Sequence, residues 1–170
     1  MKIVVTDACI FIDVIELQLT GRFFRLNLDI HTTADVLNEL YPDQQQILEG
    51  YKTSNKLTVH VLSGAEQASL MTEDYPKALT PEDRSVVFIA KKLGDAVVLS
   101  SDKPVRNHAK KLCIEYHGML WIFDQLVEQG LLTKAESITK ITTLVNSNLI
   151  YKNNAEMQAE VQTRIKAWSN

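Results

Sequence analysis

Asp7 and Asp102 are the residues from which a chemistry can first be argued. Asp7 directly follows Lys2-Ile3-Val4-Val5-Thr6, and Asp102 follows Ala96-Val97-Val98-Leu99-Ser100-Ser101. Each preceding run is short and β-branched, as a buried strand requires. Carboxylates brought together repel one another and are costly unless protonated or bound to a cation. Oxygen ligands with open water positions suit Mg²⁺ or Mn²⁺. Two further acids can lean toward the same place. Glu39 lies in a helical stretch beside Val36 and Leu40, closer to the apolar face than Asp35 does. Asp83 shares a helical stripe with Val86, Val87 and Ala90, although Glu82 borders that stripe through Val86, Ile89 and Leu93. Periodicity does not choose between them. Each acid also has an ordinary structural role: Asp7 as cap of the helix beginning at Ala8, Asp102 as a turn residue before Pro104, Glu39 as a solvated helix residue, Asp83 as half of a capping box with Thr80.

The elements that must position these acids alternate. Strands are expected over 2–6, 28–32, 57–62, 96–100 and 112–116, with helices over 8–19, 34–41, 43–52, 64–73, 81–93 and 104–111 between them. Thr80-Pro81-Glu82-Asp83 is the clearest helix start, and Gly94 its stop. Helices over 119–129, 134–147 and 153–168 follow, broken at Gly130 and Asn146–Asn148. Strands alternating with helices imply a three-layer α/β/α fold around a central five-stranded parallel sheet, plus C-terminal helices. Ligands of such sheets bind beyond the carboxyl ends of the strands, where the connections diverge. If the first and fourth strands are neighbours, Asp7 and Asp102 meet at that point.

Composition narrows the class. With 170 residues, 45% hydrophobic and 23% charged, the chain has the balance of an ordinary globular protein. No apolar run approaches the roughly 18 residues that span a bilayer, so no membrane partner is expected. The three apolar residues before Thr6 and Asp7 are too few for a secretory signal. Cys9 and Cys113 make neither a disulfide framework nor a zinc motif, which fits a cytoplasmic location. The net charge is −3, but residues 77–111 carry 8 Lys/Arg against 4 Asp/Glu. That basic segment is either a phosphate-facing strip or a solvated helix face. Lys103 and Arg106, just after Asp102, are its members best placed to meet backbone phosphates. His31 and His60, in strands, read as packing residues; Trp121, Phe123 and Phe88 read as core or dimer contacts.

Several of these segments together carry a family resemblance. Val4-Val5-Thr6-Asp7, Val36-Leu37-Asn38-Glu39, the stretch from Leu79 to Ala90 and Val98-Leu99-Ser100-Ser101-Asp102 resemble the PIN-domain family, which includes VapC ribonuclease toxins. That family places an acid seven positions before a small residue in its third helical segment; Asp83 and Ala90 meet the spacing. The resemblance therefore selects Asp83 over Glu82. His117-Gly118-Met119-Leu120 and Gln129-Gly130-Leu131-Leu132 resemble a PIN subgroup with a helical C-terminal extension. On this reading residues 1–132 form the nuclease domain and 133–170 the extension packed on it.

The resemblance implies a metal-dependent endoribonuclease in which Asp7, Glu39, Asp83 and Asp102 hold one or two Mg²⁺ or Mn²⁺ ions. Such ions activate water and stabilise the leaving oxygen of a phosphodiester. The implied substrate is RNA, single-stranded or looped, and the implied partners are an antitoxin protein and a second copy of the chain. Ile138, Ile141 and Leu144 would serve that dimer or cover the chain's own sheet. Family members usually carry Ser or Asn two residues after the first Asp, where this chain has Cys9; Ser100 keeps the support expected two residues before the last Asp. Cys9 leaves open a non-cleaving nucleic-acid-binding or regulatory module. A phosphoryl-receiver domain is disfavoured, since Leu62-Ser63-Gly64 supplies no acid after the third strand.

Overall fold

The β-branched run at the start of the chain forms β1 (Lys2–Thr6), with Val4 and Val5 fully buried. A computed structural model describes residues 1–170. It pairs β1 in parallel with β2 (Leu28–Thr33) on one side and β4 (Ala96–Leu99) on the other. β3 (Thr58–His60) and β5 (Tyr116–His117) close the edges, giving a five-stranded sheet of order β3-β2-β1-β4-β5. All its pairings are parallel, and helices flank the sheet as the alternating pattern requires. The order reverses between β1 and β4. Their register sets Thr6 opposite Leu99, so Asp7 and the segment Ser100–Asp102 leave the sheet side by side. The Asp7 N–H donates to the Leu99 carbonyl at 3.2 Å, extending the pairing one residue beyond the strand.

The helices that follow the strands are α1 (Ala8–Glu16), α2 (Thr20–Phe23), α3 (Ala34–Glu39), α4 (Pro42–Thr53), α5 (Gly64–Thr72), α6 (Pro81–Leu93) and α7 (Lys103–Lys111). α8 (Met119–Glu128), α9 (Lys134–Ser147), α10 (Leu149–Lys152) and α11 (Ala155–Trp168) complete the chain. α6 starts as its sequence dictates. The Thr80 hydroxyl accepts from the Asp83 N–H at 3.2 Å, and Asp83 Oδ2 accepts from the Thr80 N–H at 3.0 Å. A cap of this kind contributes about 1 kcal/mol. Gly94, with φ 84°, ends the helix in a conformation that L side chains rarely adopt.

Several boundaries differ from the sequence expectation: the strand expected over 57–62 is only Thr58–His60, and the helix expected over 34–41 ends at Glu39. The strand expected over 112–116 is only Tyr116–His117. Cys113 turns the chain with φ 57°, and the Ile114 N–H is taken by the Ala109 carbonyl, so the intervening residues belong to the close of α7. The helix expected over 8–19 stops at Glu16, because Gln18 adopts φ 56° and redirects the chain into α2. The break at Asn146–Asn148 is followed by a single helical turn, α10, capped where Asn148 Oδ1 accepts from the Ile150 N–H at 2.9 Å.

One hydrophobic cluster of 39 buried residues runs from Val4 to Val161. Ile141, Leu144 and Tyr151 are part of it, so residues 133–170 share the core of residues 1–132. Ile141 and Leu144 are buried within the chain itself and are not free to line a dimer face. No helix is long and apolar enough to cross a membrane.

Candidate functional site

The carboxyl ends of β1 and β4 present Asp7 and Asp102, and two helices bring Asp83 and Glu39 toward them. Asp7 caps α1: its Oδ1 accepts from the Ile10 N–H at 3.2 Å. The ordinary reading of Asp7 as a cap is therefore realised, and it coexists with a second property. Asp7 is 3% exposed, and burial raises its carboxyl from 3.8 to about 6. Hydrogen bonding by Cys9, Ser100 and Ile10 opposes the rise, and the charge of Asp83 adds to it. Glu39, the last residue of α3, is pushed up to about 7 by partial desolvation, then by Glu82, Asp83 and Asp7. Asp102 is raised by desolvation and by Asp83. Asp83 thus acts on each of the other three acids, and Glu82 on Glu39 alone among them. On Glu39 itself the charge of Glu82 is the larger of the two.

The four side chains differ in how firmly they are held. Asp7 and Asp83 are fixed by their caps. The carboxylates of Glu39 and Asp102 make no hydrogen bond, and Asp102 begins α7 without capping it. Across the chain, no three His, Cys, Asp or Glu side chains stand close enough together to form a closed ligand set for one ion. The donors are nonetheless of the kind that Mg²⁺ or Mn²⁺ takes: oxygens only, mutually destabilising as anions, with two of the four unrestrained by hydrogen bonds.

Cys9 occupies the place where a hydroxyl or amide was expected, and from there it hydrogen-bonds Asp7. Its thiol donates to Asp7 Oδ1 at 2.9 Å, while its sulfur accepts from the Ser101 N–H at 3.4 Å. Burial and the Asp7 charge push the Cys9 pKa well above the usual thiol range, which keeps the proton on sulfur and the donor in place. Ser100 accepts from the Asp102 N–H at 3.0 Å, so it shapes the turn on which Asp102 sits.

Other contacts around the edge had no sequence signature. Thr33 caps α3 and its hydroxyl meets Ser85 Oγ at 2.7 Å; Ser85 in turn donates to the Glu82 carbonyl at 2.6 Å. This buried latch couples the helix carrying Glu39 to the helix carrying Asp83. Tyr151, fully buried in α10, shares a 2.7 Å hydrogen bond with Ser101 next to Asp102. Asp13, in α1, accepts from Asn148 Nδ2 at 3.0 Å through Oδ1, while its buried Oδ2 has no partner. His31 and His60, read as packing residues, contact each other. His31 Nδ1 lies 2.8 Å from His60 Nε2 across β2 and β3.

An all-parallel sheet with this order, flanked by helices, is a three-layer α/β/α fold with acids beyond the carboxyl ends of β1 and β4. A family model described as a PIN domain matches residues 3–162. The chain belongs to the PIN-domain family. No curated protein matches it at a significant level.

Proposed function

We propose that the protein is a metal-dependent ribonuclease, working in the cytoplasm, with Asp7, Glu39, Asp83 and Asp102 as the residues that hold Mg²⁺ or Mn²⁺. The observation that carries this reading is the electrostatic coupling of Asp83 to the other three acids at one sheet edge. A bound divalent ion would relieve that repulsion, activate water and stabilise the leaving oxygen of a phosphodiester. Asp7 and Asp83 supply ligand oxygens on rigid caps; Glu39 and Asp102 supply carboxylates free to turn toward the ion. Cys9 and Ser100 hold Asp7 and the Asp102 turn. Lys103 is exposed and Arg106 sits over the Tyr116 ring at 5.3 Å, and neither is in an ion pair. Both remain available to RNA phosphates beside Asp102.

The test is hydrolysis of mixed RNA by the pure protein with Mg²⁺ or Mn²⁺, lost in chelator. Binding without cleavage under any metal would instead support the non-cleaving module. Lys103→Ala with Arg106→Ala is expected to weaken RNA binding and to reduce the log–log salt slope by about 0.7 per lost contact on single strands. An unchanged slope places the RNA path elsewhere.

A role as the toxin of a toxin–antitoxin pair is the finer form of this proposal. A gene for a small protein that suppresses the ribonuclease, adjacent to this one, would support it. A homodimer is also proposed, through surface outside the Ile141–Leu144 stripe; Val61 and Met71 are large, apolar and exposed. Light scattering at high concentration is expected to report twice the 19.2 kDa chain mass, and a monomer there removes the proposal.

A further inference from the structure

Beside Asp102 lies a groove of about 610 Å³ whose two walls come from different parts of the chain. One wall is the start of α7 and the β5–α8 segment; the other is α10 and α11 of the C-terminal extension. Its volume falls in the range of small-ligand sites. The His117 and Trp121 rings line it, stacked 4.5 Å apart and 8° from parallel. Trp121 is half-buried, unlike Phe123, which lies wholly in the core two positions on. Sequence spacing alone made both residues core candidates.

The charges in the groove are divided between its walls. Arg164 is neutralised: its guanidinium takes both oxygens of Asp124, at 2.9 and 2.7 Å, and Glu160 at 3.0 Å. The cations free of ion pairs, Lys103 and Arg106, belong to the first turn of α7, next to Asp102. The opposite wall carries the carboxylates of Glu156 and Glu160. Such a groove repels a phosphate from the wall made by the extension and attracts one to Lys103 and Arg106 at the start of α7. Its interior suits a flat, uncharged group with amino and carbonyl edges: aromatic rings to stack on, Asn107 and Asn154 to donate, and Glu156 to accept.

We propose that this groove is a nucleotide subsite of the ribonuclease, taking the base of a residue next to the phosphate held at Asp102. The base stacks on the His117–Trp121 pair and its phosphate meets Lys103 and Arg106. Stacking on aromatic rings together with basic contacts to the backbone is how single-stranded RNA is commonly gripped. The C-terminal extension then has a task beyond covering the core, since it supplies the wall that reads the base edge. The proposal rests on the ribonuclease reading for its substrate class, and its own test does not require cleavage.

The experiment uses Trp168→Phe, which leaves Trp121 as the sole tryptophan, and a short single-stranded oligoribonucleotide in chelator. Saturable quenching of Trp121 fluorescence is expected. Trp121→Leu in the natural chain should weaken binding of the same oligonucleotide roughly 5- to 100-fold, as loss of one base–aromatic stack does. Trp121→Phe should restore most of that affinity, which separates stacking from simple disruption of the fold. An oligonucleotide of the same length lacking bases should bind with the Lys103–Arg106 salt dependence but without quenching. Equal binding of the base-bearing and abasic probes, or no response of Trp121 to saturating oligonucleotide, overturns the proposal. Exclusive capture of the groove by a protein partner would appear as that second result. If quenching occurs and no metal supports cleavage, the subsite stands and the nuclease reading falls. If RNA is cleaved with an unchanged KM in Trp121→Leu and no quenching, the subsite falls and the nuclease reading stands.

Discussion

Asp7→Asn is expected to abolish metal-dependent RNA cleavage while leaving the metal-free protein at least as stable as the natural one. The loss should exceed the roughly 100-fold that removal of even an outer-sphere partner of a metal costs. The stability half follows from burial. Asp7 is held at about 6 where an exposed aspartate titrates at 3.8, so its ionised form costs the folded state about 3 kcal/mol at neutral pH. Asn keeps the acceptor that takes the Ile10 N–H and the Cys9 thiol, and it carries no charge to be desolvated or to repel Asp83. With Mg²⁺ or Mn²⁺ at about 100 times its Kd, the natural protein should gain roughly 2.7 kcal/mol that the variant does not. Were Asp7 only a helix cap, Asn would serve nearly as well and metal would shift neither protein. Melting curves with chelator and with metal, run beside a cleavage assay, separate the two cases. Equal metal shifts would remove the shared-site reading, and full activity in the variant would remove the mechanism. The raised Asp7 and Glu39 carboxyls also imply that cleavage climbs with pH from about 6 to 7, because the ion competes with those protons.

Much of this edge was legible because its signals are local. Val4-Val5-Thr6-Asp7 and Val98-Leu99 are short β-branched runs that end at polar residues, and both are strands at the centre of the sheet. Thr80-Pro81-Glu82-Asp83 carries its own start signal, and the capping box forms as written. Alternation of strands and helices was enough to imply the parallel sheet, whereas the adjacency of β1 and β4 stood as a condition that the sheet order meets. The contacts that escaped are those between distant positions. Nothing around Tyr151 marks it as a partner of Ser101, and nothing around Thr33 marks Ser85. A hydroxyl pair separated by about fifty residues has no periodicity, so only the assembled fold reveals it. The shortened β5 has a similar origin. Leu112–Tyr116 reads as an apolar run, yet the close of α7 holds the Ile114 N–H and leaves two residues for the ladder. Cys9 was legible only as a departure; its thiol proton, kept in place by burial beside Asp7, is a property of the folded environment.

Asp13→Asn is expected to flatten the pH dependence of stability in a way that metal does not reproduce. Asp13 is 4% exposed, lies six residues beyond Asp7, the N-cap of the same helix, and its side chain is tied only to Asn148. Burial raises it to about 6; the Asn148 hydrogen bond opposes the rise, and the charges of Glu16 and Asp7 add to it. The sign follows from linkage. The folded state binds the proton more tightly than the unfolded chain, whose aspartate titrates at 3.8, so the associated stability is complete below that value and is lost as pH rises through about 6. The loss amounts to about 3 kcal/mol and levels off above the folded value. His60 and His108, both lowered mainly by burial, act in the opposite direction over part of this window, since folding favours their neutral forms. Glu66, Glu115 and Glu136 are lowered by hydrogen bonds and influence only the more acid range. The informative quantity is therefore the difference between the natural protein and Asp13→Asn, measured by denaturant unfolding from pH 4 to 8. Near pH 4 both forms are uncharged at this position, and the variant bears the added cost of an amide donor where Oδ2 has no partner. As pH rises from about 4 to 7 the difference should move by about 2 kcal/mol in favour of the variant, most of it before pH 6. Saturating Mg²⁺ or Mn²⁺ should suppress the corresponding dependence at Asp7, where the ion replaces the proton. It should leave most of the Asp13 dependence intact, because this carboxylate faces α10 and not the strand ends. A parallel pair of curves for natural protein and Asp13→Asn would show that Asp13 is ionised in the fold at no cost.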